Sequence, residues 1–316
     1  MKAGFLLPTR NVVTGRAPPS LAMRSMVASA GRLDALGYDS LWVGDSLLGR
    51  PRPEPISVLS AMAMVTDTIK LGTAALLPAM RHPLQLAQQA ATLDLISEGR
   101  LILGVGVGFP NDQTKLELDA LEIAFDTRGR RCHEAIAWCK SLWGGEAPSN
   151  PEFWTLDPDW RTDPRPAQPN GPRFWLGGAT DATCRRVARS YDGWMPTSPS
   201  PEKFKHGWQV VCDEAEKCGR DVKDITTCSV LTLSLDNDPN TAQNKLRQFI
   251  ETYYGAPLET AREIVGCAAG TVEDVIERIK AFEEVGVEHL ILRFGAEDQS
   301  AEIEKWAEPL MNAMRA

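Results

Sequence analysis

The chain has 316 residues, 43% hydrophobic and 24% charged, and a formal charge of −8 from 34 basic and 42 acidic side chains. This composition excludes a mainly disordered chain, a coiled coil and a collagen. An acidic balance with no basic stripe argues against a nucleic-acid partner.

Short apolar runs alternate with longer amphipathic stretches along the chain. Lys2–Leu7 reads as a first strand, closed by Pro8, and Ser20–Leu36 as a helix stopped by Gly37. Ser40–Gly44 is the second strand, Ile56–Val65 a short helix, and Lys70–Leu77 the third strand. The helix Leu84–Ile96, the fourth strand Leu101–Val105 and a long helical stretch Lys115–Trp143, broken near Asp126–Gly129, follow. Phe174–Leu176, Gly193–Met195, Thr226–Leu233 and His289–Leu292 read as strands five to eight. Helices Ala182–Arg189, Glu202–Cys218, Thr241–Tyr254, Val272–Val285 and Glu302–Met314 lie between and after them. Unbroken alternation of this kind predicts a parallel sheet, and eight strands suffice to close a (β/α)₈ TIM barrel. A doubly wound open sheet is the other solution. No composition shift divides the chain, so residues 1–316 are expected to form a single domain, with insertions at about 144–172 and 237–271.

The N-terminal apolar run is too short for a signal peptide, and no stretch is long and apolar enough to span a bilayer. The seven cysteines are odd in number and lack CxxC spacing, which reads as reduced thiols in a cytoplasmic protein with no membrane partner.

In a barrel the site lies where strands run into helices. Asp45 follows the second strand; it can face the mouth or form an Asx turn or cap. Thr73 and Ala74 belong to a small-residue strand end that lets a flat ring approach the backbone, or packs closely on a helix. The run from Gly104 to Gly108, which includes Val107, lacks the spacing of a dinucleotide fingerprint but suits close ligand approach. Gly177, Gly178 and Thr180 precede a helix, where free backbone N–H groups make an anion site; a plain capped turn is the other reading. Trp194 can wall a dry pocket or sit in ordinary core. Arg293 follows the eighth strand, where a cation suits an anionic ligand group or a surface ion pair. His82, before Pro83, can face the site or anchor its loop. The four histidines form no HxH or HExxH pair, so no metal is expected.

Several of these stretches together resemble the bacterial luciferase-like monooxygenase superfamily. The segment from Ile69 to Gly108 carries a small-residue strand end, then His82-Pro83, Thr92-Leu93-Asp94, Ser97, Gly99-Arg100, and an LGVGVG strand from Leu103 to Gly108. Gly37 to Asp45 is similar to the family's second strand, Phe125 to Glu134 to its F…RGxR…E helix, and PRFWLGGATDATCRRVARSYDGWMP to its WLGG…DGW segment. The likeness is weakest across 145–170 and 235–268.

The resemblance implies a (β/α)₈ barrel holding reduced FMN or the deazaflavin coenzyme F-420, with Thr73, Ala74, Val107 and Gly108 against the ring. A non-prolyl cis peptide is expected at Ala74–Ala75. Gly177, Gly178 and Thr180 would take the phosphate end, and a homodimer is expected. With reduced FMN the chemistry is oxygenation of a small organic substrate by O₂, with a separate flavin reductase as possible partner. With deazaflavin it is hydride transfer, for which relatives often carry an Asp-His pair after the second strand. Here the pair is Asp45-Ser46, which leaves His82 as the remaining proton carrier to test. Monooxygenation is the preferred expectation. Deazaflavin-dependent reduction or dehydrogenation is the first alternative and a non-catalytic flavin-binding protein the second.

Overall fold

The computed structural model describes residues 1–198, 200–296 and 298–316. Nine parallel strands make one sheet: β1 (Lys2–Leu7), β2 (Ser40–Val43), β3 (Lys70–Thr73), β4 (Leu101–Val105), β5 (Arg173–Gly177), β6 (Gly193–Met195), β7 (Thr226–Leu235), β8 (Gly266–Gly270) and β9 (His289–Phe294). Pairing runs β6-β5-β4-β3-β2-β1-β9-β7 and closes through β6–β7, giving an eight-strand barrel. The strands are buried along nearly their whole length, as both faces are covered.

The added strand is β8. Three-residue β6 meets β7 only through Thr226 and Thr227, at the start of that strand. The same edge of β7 is then taken over by β8, from Leu231↔Gly266 to Leu235↔Gly270. The second insertion is therefore built into the sheet at the C-terminal end of the barrel. Its helix Pro239–Tyr254 starts on Asp238, whose carboxylate accepts from the Asn240 and Thr241 N–H groups, and stops at Gly255 in the left-handed region.

The first insertion packs on the outside instead. The Glu134 carboxylate on helix Arg128–Leu142 accepts from the N–H groups of Glu152, Phe153 and Trp154. The Trp138 indole donates to the Trp154 carbonyl, and Arg131 lies over the Trp154 ring at 4.5 Å. The long helical stretch expected from Lys115 is two helices, Asp112–Ala120 and Arg128–Leu142, separated slightly earlier than the sequence suggested.

Side chains alternate along each strand, so every second residue points into the barrel. The interior floor is aromatic. Trp42 and Trp175 lie 5.2 Å apart, and His289 meets both rings edge-on at 6.0 and 5.4 Å. Gly72 and Gly193 make room for them, since a Cβ at either would sit 2.3–2.5 Å from an indole carbon. Ser40 joins the two polar ends: its hydroxyl accepts from Trp42 Nε1 and pairs with His289 Nε2, both at 2.6 Å. Burial pushes the His289 imidazole down to about 4, so it is neutral at pH 7. Among the described residues no helix is long and apolar enough to cross a membrane.

Candidate active site

Above the aromatic floor, the C-terminal strand ends form the mouth. β3 pairs with β4 only through Leu71 and Gly72 and rejoins it at Leu76↔Val105. Between these points the Ala74 N–H turns to the Val43 carbonyl of β2, and the Leu76 N–H to Gly104 of β4. Ala74 and Ala75 bulge between them, half-buried, through a cis peptide bond at the expected position. Across the bulge, a Cβ on Gly106 would find only Ala75 Cβ at 3.4 Å and Leu77 Cδ2 at 3.9 Å. Only the Ala75 methyl and the Leu77 side chain stand beside Gly106 at this rim. Thr73 contributes backbone only. Its side chain is fully buried, and its hydroxyl donates to the Gly104 carbonyl at 2.7 Å. Val107 and Gly108 lie half-buried just beyond β4.

The turn after β5 has the features of an anion site. Gly178 has a φ of +117°, in the region that favours glycine. Thr180 caps the helix Asp181–Ser190 by accepting from the Thr183 N–H. Among the described residues the N–H groups of Gly178, Ala179 and Thr180 have no acceptor in the chain. Free donors at a positive helix end suit a phosphate.

Trp194 is not at the mouth. On β6, Gly193 and Met195 face inward, and Trp194 points into the helix layer, fully buried. It packs on Phe204 at 4.9 Å and Trp208 at 6.3 Å, and its indole donates to the Gly178 carbonyl at 2.8 Å. The expectation of a substrate contact is corrected: Trp194 braces the Gly178 turn from behind.

Asp45 does reach the rim, but as one half of a clamp. Its side chain is 3% exposed and forms a two-armed pair with Arg81, at 2.5 and 3.1 Å. It also accepts from the Leu77 N–H at 3.0 Å. Burial would lower the Arg81 pKa, but Asp45 and then Glu54 outweigh it and hold the guanidinium above its usual value. The clamp pins the loop after β3 to the end of β2. The Ser46 hydroxyl donates to Glu117, which also accepts from the Leu48 and Gly49 N–H groups.

His82 is exposed, accepts at Nδ1 from the Leu84 N–H as a helix cap, and lies edge-on to Trp154 of the outer insertion. Its contacts belong to the helix layer, so the structure does not gather Asp45 and His82 into an acid–base pair.

Arg293 lies inside the barrel end, 3% exposed. It donates to Thr232 Oγ1 and the Tyr254 hydroxyl, and its guanidinium lies 4.6 Å from the Tyr253 ring centre. Arg10, Arg50 and Arg52 converge on the same two tyrosines from the loops after β1 and β2. These three came from segments that carry no motif and were not singled out by sequence. A cavity of about 810 Å³ opens elsewhere, at the strand starts by Arg173, Asp192 and Thr226.

A closed parallel barrel with a bulged strand end and a donor-lined glycine turn on one rim is a scaffold on which a phosphate-bearing ligand can sit. The sequence profile described as luciferase-like monooxygenase matches residues 1–289, and the chain belongs to that family. It is 28% identical to an F420-dependent glucose-6-phosphate dehydrogenase of Beutenbergia cavernae, over 93% of this chain and 94% of that protein. It is 26% identical to the oxygenase component of a flavin-dependent trigonelline monooxygenase of Acinetobacter baylyi, over 80% and 78%. The fold matches that of monooxygenase RslO1 from Streptomyces bottropensis with a TM-score of 0.85, at 24% identity over all of both chains. The chain is thus a luciferase-like oxidoreductase, from a family whose members use a flavin or coenzyme F420.

Proposed function

We propose that the chain is the oxygenase of a two-component flavin monooxygenase, taking reduced FMN from a separate reductase and acting on a small organic substrate. One observation carries the choice of oxygenation over hydride transfer to a carbonyl: both candidate proton carriers are engaged elsewhere. Asp45 is clamped by Arg81 and Leu77, and His82 caps a helix. Where relatives often carry a histidine, Ser46 is turned onto Glu117. Oxygenation asks less of a protein acid or base, and more of binding and exclusion of water.

The residues fit such a cofactor. The N–H groups of Gly178, Ala179 and Thr180 would hold its phosphate. Ala74, Ala75 and Gly106, with Val107 and Gly108 beyond them, would flank its ring. When bound, reduced FMN supplies the electrons that let one atom of O₂ enter an organic substrate. The chain's own part is positional: Trp42 and Trp175 close the barrel below the ring site and keep it dry, and the Asp45–Arg81 clamp holds the bulged strand end in place. Deazaflavin-dependent hydride transfer is the second reading, favoured by the F420-dependent relatives aligned over nearly the whole chain. Parallel titrations with reduced FMN and with F420 under anaerobic conditions, followed by oxygen uptake on admitting air, test the two. Tight binding of reduced FMN with substrate-dependent product supports the proposal. Binding of F420 alone replaces it by hydride transfer, and binding without turnover by the non-catalytic reading.

A further inference from the structure

Four guanidinium groups from three parts of the chain meet above the barrel mouth, and among the described residues none of them pairs with a carboxylate. Arg10 follows β1, Arg50 and Arg52 follow β2, and Arg293 lies on β9. Their recorded partners are neutral. Arg10 donates to the Tyr253 carbonyl, and Arg50 to the Tyr254 carbonyl at 3.1 Å and to Gln113 at 2.9 Å. Arg52 donates to the Tyr253 hydroxyl and Arg293 to the Tyr254 hydroxyl. No ion pair from any of the four is present among the described residues.

The carbonyls at the end of helix Pro239–Tyr254 offset only part of this charge. A helix C-terminus carries about −0.5 of an elementary charge, against one positive charge on each of four guanidiniums. Burial, with Arg10 and Arg52 adding repulsion, lowers the Arg50 pKa despite the nearby tyrosines. Burial alone would raise the Tyr253 phenol, but Arg52, Arg293 and Arg10 outweigh it and hold it below its usual value.

Arg100 shows how this fold treats a structural arginine. It is 8% exposed, also without a carboxylate, and donates to four backbone carbonyls and the Thr66 hydroxyl. Arg293 is more buried and has two hydroxyl acceptors, Thr232 and Tyr254. Arg10 Nε is buried with no acceptor at all. Buried cations are ordinarily paired, so the buried Arg293 guanidinium and the buried Arg10 Nε, with the half-buried Arg50 and Arg52 beside them, call for an anion that the described residues do not supply.

The location fixes which anion. A Cβ on Gly44 would touch Arg52 Nη1 and lie 3.5 Å from the Ala74 carbonyl, so Arg52 reaches the bulged strand end. The phosphate turn after β5 is a separate feature, on other strands. We infer that Arg10, Arg50, Arg52 and Arg293, with Tyr253 and Tyr254, bind the oxyanion end, carboxylate or phosphate, of the organic substrate and hold its other end toward the ring site. Planar guanidiniums match both oxyanions through paired N–H donors. The word substrate rests on the oxidoreductase reading; the anion site does not.

Calorimetric titration with benzoate and with inorganic phosphate tests this on the wild-type chain, Arg50→Gln and Arg52→Gln. Both arginines are half-exposed, and circular dichroism checks that the variants fold. At least one anion is expected to bind saturably, and each substitution to weaken it by about tenfold or more. FMN and F420 affinities, measured on the same samples, are expected to stay within about twofold. Absence of anion binding to the wild type, or equal binding by all three proteins, overturns the inference. Parallel loss of cofactor affinity in the variants also overturns it, and assigns the arginines to the cofactor's own anionic tail. Anion binding through Arg50 and Arg52 in a chain that binds neither cofactor upholds the anion site and removes the proposed flavin-oxygenase function instead.

Discussion

Arg81 holds the Asp45 carboxylate with both of its terminal nitrogens, at 2.5 and 3.1 Å, and together they join the end of β2 to the loop after β3. A carboxylate just past the second strand of a barrel invites a catalytic reading. Its partners give it another: with Arg81 and the Leu77 N–H in place, it fixes the path of the chain immediately after the Ala74–Ala75 bulge.

Asp45→Asn is therefore expected to act first on stability. It leaves a mostly buried guanidinium with only the longer pair to the more exposed Glu54, a loss of about 2–3 kcal/mol. Arg81→Met added to it is expected to recover part of that loss, because the stranded charge is then gone. Urea unfolding of the two variants reads this directly. Full stability in Asp45→Asn, with one limb missing from the pH–rate profile, would make Asp45 an acid–base group after all.

The barrel was legible because its eight strands are apolar on both faces and separated by amphipathic helices, a pattern that survives without any tertiary information. The ninth strand was not: Gly266–Gly270 reads GCAAG, with no β-branched or large apolar residue, and it exists because short β6 leaves an edge of β7 open. The Ala74–Ala75 bulge was legible only through family resemblance. Trp194 was misassigned because a three-residue strand has too little pattern to show which face each residue takes. Arg293 was found, but its companions Arg10, Arg50 and Arg52 come together only when the loops after β1 and β2 meet the end of helix Pro239–Tyr254. No local spacing encodes that meeting.

Trp194→Phe separates bracing from lining. The ring stays apolar, but the Gly178 carbonyl loses its indole donor, at a cost of about 1–3 kcal/mol. Thermal unfolding should show that loss, and cofactor affinity should weaken, because the turn proposed to supply the phosphate donors loses its support. A changed KM for substrate with unchanged cofactor affinity would return Trp194 to the pocket wall.

His289 makes stability depend on pH. Its folded pKa is depressed to about 4 by burial, against an ordinary value of 6.5. The unfolded chain therefore binds the proton first as pH falls. The stabilising contribution is complete above pH 6.5 and is lost progressively toward pH 4, reaching about 2 kcal/mol by pH 5. His133, also depressed to about 4 by burial and then by Arg186, acts in the same direction. His289→Gln should be less stable than wild type at pH 7.5 but lose less of its stability between pH 7.5 and pH 5. Parallel pH curves for the two proteins, from chemical denaturation, would show that the imidazole at the barrel floor does not titrate in this way.

Gly106→Val distinguishes the cradle from the scaffold. A Cβ at Gly106 meets nothing closer than 3.4 Å, and its backbone is not among the glycines at positive φ. The Gly106 N–H donates to the Leu76 carbonyl just past β4, a bond that a valine there keeps. Unfolding free energy should therefore change by no more than about 1 kcal/mol. The isopropyl group would project beside Ala75, onto the surface proposed for the cofactor ring, and affinity for FMN or F420 should fall by at least about tenfold. Fluorescence titration of a variant with wild-type unfolding behaviour measures this cleanly. Undiminished affinity would place the ring away from the β3–β4 rim and leave the Ala74–Ala75 bulge to some other purpose.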